Sequence, residues 1–165
     1  MKRFFLFFIL TTCMTISCSK IDINMDRAIF DKEFAAWSAQ NMENYKFTYD
    51  IFNAAGPHGP ISVTIAENED LVIENLGYSS FENYPLNIIK SMSGVFDFIR
   101  ETFDDIERTK KSSNKKFTIE SISLRISYNK QFHYPEKVSY GVFYKQKGVL
   151  GAPHYDLNIT EFISY

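Results

Sequence analysis

Apolar side chains recur at every second position in stretch after stretch of this chain, and that period constrains the fold more than any other feature. In YKFTYDIF, Tyr45, Phe47, Tyr49 and Ile51 alternate with Lys46, Thr48 and Asp50. Ile61, Val63 and Ile65 alternate in ISVTI, and Ile122, Leu124, Ile126 and Tyr128 in SISLRISY. Val138, Tyr140, Val142 and Tyr144 follow suit in KVSYGVFY, as do Tyr155, Leu157 and Ile159 in HYDLNITEF. A period of two turns one side of a strand to the core and the other to water. These stretches lack the unbroken apolar runs of a sheet buried on both faces, so the sheet is expected to be antiparallel with one face covered. LVIENL extends or returns the second strand after the acidic turn at 67–70. AAGPHGP, rich in Gly and Pro, reads as a break, and 77–85 as a loop.

Two segments have the helical period instead. Asp26 suits an N-cap, and Phe30, Phe34 and Trp37 then fall on one side of a helix ending near Asn41. Met92, Val95, Phe96, Ile99, Phe103 and Ile106 form a second apolar stripe, backed by Asp97, Arg100, Glu101, Asp104 and Arg108. The fold class that follows is α+β: an antiparallel sheet of about five to six strands with two helices packed on one face, in the order α-β-β-(β)-α-β-β-β.

The N-terminus has a different character. Lys2 and Arg3 precede an apolar run from Phe4 to Leu10 and a milder stretch to Ser17, the pattern of a secretory signal. The run to Ile16 is broken by threonines and falls short of the roughly 20 apolar residues that span a bilayer. With Ile16 and Ser17 before Cys18, the segment resembles a bacterial lipoprotein signal, although Thr15 stands where Leu is usual. Cys13 competes, but Thr12 before it is a poorer small residue. The resemblance implies removal of residues 1–17, acylation of Cys18 by more than one chain and lasting attachment to a membrane. An ordinary cleaved signal with an incidental Cys18 is the alternative. Both cysteines lie at or before Cys18, so no disulfide is expected in the folded part. Residues 18–26 read as a tether and 27–165 as a single domain. Ser19, in place of the Asp linked to inner-membrane retention, points outward in the envelope.

Charge narrows the partners. Removing 1–17 takes away two basic residues, so the remaining chain is more acidic than the formal −2 of the whole and has no electrostatic reason to seek nucleic acid. Lys110, Lys111, Lys115 and Lys116 read as a solvated loop. Aromatic content of 16% suits a well-filled β core.

The order Trp37, Tyr45-x-Phe47-x-Tyr49, Ile61/Val63/Ile65, Val95-Phe96-x-x-Ile99, Tyr128-Asn129, Tyr134-Pro135-x-x-Val138 and Leu157-x-Ile159-x-x-Phe162 resembles a family of small exported bacterial proteins, often lipoproteins, classed as a domain of unknown function. The resemblance spans roughly 30–163 and implies export and an α+β fold, but no activity. Many members carry close cysteines after the first strand, where this chain has NAAGPHGP, and Gly where it has His133, so no disulfide or metal role is implied for that loop.

The chemistry in the sequence is sparse. His133 and His154 flank a strand and should lie roughly 25–35 Å apart at ~3.3 Å per residue, too far for one metal ion with His58. Asp104 and Asp105 lie on a helix face that reads as solvated. No Gly-rich phosphate loop, nucleophile elbow or catalytic-cysteine context occurs, and no cofactor is expected. Trp37 and the tyrosine ladder including Tyr49 either fill the core or line a groove. A ligand or partner surface, if they form one, would draw on Trp37, Tyr49, His58, His133 and Tyr134. The expected role is a non-catalytic module binding an envelope protein or ligand through its uncovered sheet face or loops. The alternative is a small envelope hydrolase using His58 or His133 with nearby Tyr and Asp groups.

Overall fold

The computed structural model describes residues 20–23, 26–54, 56–66, 71–77, 89–111, 118–146 and 152–165. The signal segment, Cys18, the acidic turn at 67–70, nearly all of the loop at 77–85, Lys115 and Lys116 lie outside them. Asp26 opens the first helix: its Oδ1 accepts the Ala28 N–H at 3.0 Å, and α1 runs Arg27–Ser38. After α1, Asn41 takes a left-handed φ of 47°, a conformation Asn tolerates, and the chain turns into β2 (Tyr45–Asn53). β3 (Gly56–Ile65) and β4 (Val72–Asn75) follow, then α2 (Met92–Lys111), β5 (Ile119–Tyr128), β6 (Pro135–Tyr144) and β7 (His154–Ser164). A short strand, β1 (Lys20–Ile23), precedes them all.

The strands form one sheet in the order β1-β5-β6-β7-β2-β3-β4. All pairs are antiparallel except β1 with β5. The α+β class, the two helices and the antiparallel strands β2 to β7 agree with the periodicity. Two readings need correction. Part of the stretch read as a tether, 18–26, is strand: Lys20–Ile23 pairs with Ser121–Leu124. Four residues are too few to display a period, and the free edge of β5 offers an unpaired row of N–H and C=O groups to take them up. AAGPHGP is also not a simple break, because β3 begins at Gly56. Gly56 and Gly59 adopt φ of 112° and 107°, open to glycine alone at little cost, and carry the strand past the register shift between Tyr49 and Ile51. Pro57 precedes the part of β3 that pairs with β4, so its missing N–H breaks no bond on that side.

Both helices lie on the face built by the alternating apolar residues. Phe30 of α1 meets the rings of Phe96 and Phe103 of α2 at 5.8 and 5.4 Å, so the helices also pack on each other. Beneath them Phe47, Val63, Ile122, Leu124, Val138 and Leu157 are almost wholly buried. Two tyrosines of β2 reach from the sheet to the start of α2. The Tyr49 hydroxyl accepts the Ile89 N–H at 3.1 Å, and the Tyr45 hydroxyl accepts that of Met92 at 3.2 Å. The other face of the sheet is polar, and there Asn158 Nδ2 donates to Asp50 Oδ1 at 3.0 Å.

Strand directions give the sheet two distinct ends. At the Asn53 end β2 and β6 finish while β1, β3, β5 and β7 begin; Tyr45 lies at the opposite end.

The turn after β4 is held tightly against β3. Leu76 N–H donates to the Pro60 carbonyl at 2.8 Å, and Gly77 N–H to Asn75 Oδ1 at 3.0 Å. A methyl group on Gly77 would lie 2.0 Å from the Gly59 carbonyl oxygen. Backbone cannot yield as a side chain can. Gly77→Ala is expected to lower stability by about 1–3 kcal/mol through forced displacement of this turn, seen as a lower urea midpoint with unchanged slope. An unchanged midpoint would refute the close approach.

Candidate functional site

Alongside its core stripe, α2 carries a second one. Gly94, Asp97, Phe98, Glu101, Thr102 and Asp105 recur at helical spacing and border a cavity of about 610 Å³ between the helix and the sheet. Ser91 fixes where the helix starts: its Oγ accepts the Gly94 N–H at 3.0 Å and its carbonyl the Val95 N–H at 3.2 Å. Ile89 and Lys90 ahead of α2, Ile51 and Asn53 of β2, Tyr140 of β6, and Pro153, His154 and Tyr155 around the start of β7 complete the walls. The cavity therefore belongs to the half of the sheet nearer the Asn53 end.

Its inner wall is aromatic. Tyr155 packs against Phe98 at 4.7 Å and against Tyr140 at 5.5 Å between ring centres. Thr102 Oγ1 donates to the Phe98 carbonyl at 3.1 Å, which engages its single proton. The 2.6 Å contact between Thr102 and Tyr155 is consequently a bond donated by the tyrosine. Tyr140 differs. It is only 7% exposed and lines the cavity, yet its hydroxyl makes no hydrogen bond among the described residues. Among those residues no fully enclosed side-chain oxygen or nitrogen lacks a partner, so this hydroxyl reaches open space, and the cavity is the space it borders.

The rim is acidic. Asp97 pairs with Arg100, whose guanidinium lies over the Phe30 and Phe34 rings of α1, and Asp105 pairs with Arg108, while Glu101 between them forms no ion pair among the described residues. Burial, and after it the negative charge of Asp105, pushes the Tyr140 hydroxyl up to about 12. Burial likewise raises Tyr155. Both phenols are thus protonated at neutral pH. They can donate or accept hydrogen bonds but are poorly matched to proton transfer there. The arrangement offers aromatic faces, one unused hydroxyl and a carboxylate outside any ion pair, with which a molecule could be held.

Of the residues singled out in the sequence, Trp37 and Tyr134 meet inside the core, and the five do not form one site. Trp37, Tyr49 and Tyr134 are core, not surface: Trp37 packs edge-on against Tyr45, Tyr134 and Phe162, and Tyr49 supports α2. Large rings on the covered face of a strand or helix bury more apolar area than a groove would allow. His58 is buried on β3, with Nε2 3.3 Å from Asn53 Oδ1. His133, at a left-handed φ of 62°, has Nδ1 2.7 Å from Glu33 Oε2. His154 borders the cavity and touches the Phe52 ring. Asp105, read with Asp104 as solvated, borders the cavity as well, whereas Asp104 pairs with Arg27. Among the described residues no cluster of three His, Cys, Asp or Glu could hold a metal ion, and no helix is long and apolar enough to cross a membrane.

One hint of the cavity is visible in the residues themselves. Phe98 and Thr102 sit outside the core stripe of α2, on a flank that otherwise faces solvent, and an apolar ring there needs a wall of its own. A second hollow of similar size lies on the polar sheet face between Arg125, Lys137, Asp156 and Asn158. Charges of both signs line it, and Asn158 is already bonded to Asp50. No protein-family model matches this chain, and neither a curated protein nor a solved structure does.

Proposed function

We propose that the protein is a non-catalytic binding module, held at a bacterial membrane outside the cytoplasm through a lipid on Cys18, that takes a small organic cation with an apolar body in the cavity under α2. The observation that carries the binding reading is the hydroxyl of the otherwise buried Tyr140, which makes no hydrogen bond among the described residues and opens into a cavity whose rim holds the Glu101 carboxylate. Aromatic faces attract cations by roughly 0.5–2 kcal/mol, and Glu101 supplies the opposite charge. Support for the anchor comes from the basic start, the apolar run and the small residues before Cys18. The hydrolase alternative is weakened, because His58 and His133 are engaged with separate partners and neither borders the cavity.

The test is a calorimetric titration with benzyltrimethylammonium and, in parallel, 3-phenylpropionate. The cation is expected to bind and the anion not. Glu101→Gln should weaken cation binding about tenfold, the size of one contact with a charged group. Equal affinity for the two probes, or no loss with Glu101→Gln, would overturn the assignment.

A further inference from the structure

The first strand enters the sheet at a defined height. Lys20 pairs with Ser121, and Ser121 with Phe143, so the chain joins the fold level with Phe143 at the Asn53 end. Phe143 is 53% exposed on the polar face, and its ring lies over Gly141, where a methyl group would meet it at 3.3 Å. Only Ser19 separates Lys20 from Cys18, a reach of roughly 7 Å at the 3.3–3.6 Å per residue of extended chain.

The two ends of the sheet also differ in charge. Lys110, paired with Glu107 at 2.8 Å, and Lys111 close α2, and Lys145 follows β6, where its N–H donates to the Thr118 carbonyl just ahead of β5. The sequence that links α2 to β5 and β6 to β7 at this end has no Asp or Glu between 109 and 119 or between 145 and 153, which outweighs Glu82 in the link from β4 to α2; the carboxylates of the cavity rim lie on α2 itself. At the opposite end, the sequence before β2 and between β3 and β4 carries Glu43, Glu67, Glu69 and Asp70, against the single Lys130 between β5 and β6. An anionic surface attracts the first end and repels the second.

We infer that the Asn53 end is a docking face for an anionic lipid bilayer, with Phe143 at the headgroup level and Lys110, Lys111 and Lys145 over the phosphates. The inference rests on the anchoring reading, which brings the chain within one residue of β1 to the membrane. It goes beyond that reading in fixing which way the domain faces, and it places the cavity in the half of the fold nearer the lipid.

The sole tryptophan, Trp37, is buried beside Tyr45 at the far end and serves as an internal reference. The full chain, isolated with its native N-terminal modification, is reconstituted with vesicles of phosphatidylglycerol and phosphatidylcholine containing brominated acyl chains. In the Phe143→Trp variant the introduced indole is expected to be quenched at least threefold more than Trp37. That quenching should fall at least twofold on pure phosphatidylcholine vesicles and in a chain also carrying Lys111→Glu and Lys145→Glu. Chain that floats with the vesicles while the introduced indole is quenched no more than Trp37 overturns the docking face and leaves the anchor standing. Chain that fails to float with either composition overturns both. A thermal melt of each variant matching that of the parent establishes that the fold is intact.

Discussion

Trp37→Ala is expected to destabilise the protein by about 3–5 kcal/mol, the usual cost of emptying a buried aromatic site. The indole stands edge-on to Tyr45, Tyr134 and Phe162 at 5.6, 6.4 and 5.7 Å, and it is 5% exposed. It joins the end of α1 to β2, β7 and the residue that leads into β6, so these neighbours cannot all close the hole. Domains of this size have roughly 5–15 kcal/mol of stability in total, and a loss of this magnitude should bring the urea midpoint close to zero denaturant. Trp37→Phe keeps much of the ring and should lose far less. A Trp37→Ala chain as stable as the parent would mean that the ring is a surface group after all.

Raising the pH from 10 to 12 is expected to remove roughly 3–5 kcal/mol of stability through Tyr49 and Tyr140 alone, at about 1.4 kcal/mol for each pH unit that separates the folded and unfolded titrations of a phenol. Burial pushes the Tyr49 hydroxyl up to about 12, against the lowering effect of the Ile89 N–H, and Tyr140 reaches a similar value. In the unfolded chain a phenol loses its proton at a pH of about 10. Between these values the folded state holds protons that the unfolded state has released, so stability falls as pH rises; below the unfolded value the contribution is complete. Tyr45, Tyr128, Tyr134 and Tyr155 are raised as well, in each case chiefly by burial, and steepen the loss. Tyrosinate absorbance should climb in one cooperative step that coincides with loss of the near-ultraviolet circular dichroism. Independent ionisation at the unfolded value with the fold retained would refute this account.

How much of this was legible in the residues depends on range. The period of two at Tyr45–Ile51 or Ile122–Tyr128 is local and displays each strand with its covered face. The stripe Val95, Phe96, Ile99, Phe103 and Ile106 is equally local and fixes α2. Strand order is not local. That β7 lies between β6 and β2 follows from which edges meet in space, and no window of sequence contains it. β1 was missed because four residues show no period, and the start of β3 because Gly and Pro usually end strands. The cavity was missed for a related reason: Tyr140 and Tyr155 carry the same alternation as their buried neighbours. Only contact with the flank of α2 separates a ring that fills the core from a ring that walls a cavity. Export, lipidation and any partner belong to parts of the chemistry that a fold alone does not express.

Of the described strands, β7 is the one that leaves the ribosome after the others, yet it occupies the middle of the sheet. Before residues 154–164 are made, the β5–β6 pair and the β2–β3–β4 meander each present an open edge with no strand to bridge them. Closure depends on contacts of long sequence separation, which form slowly and together. A polypeptide so ordered stays threadable through nearly its whole synthesis, as passage through a narrow translocation channel requires, and sets its shape in one late step.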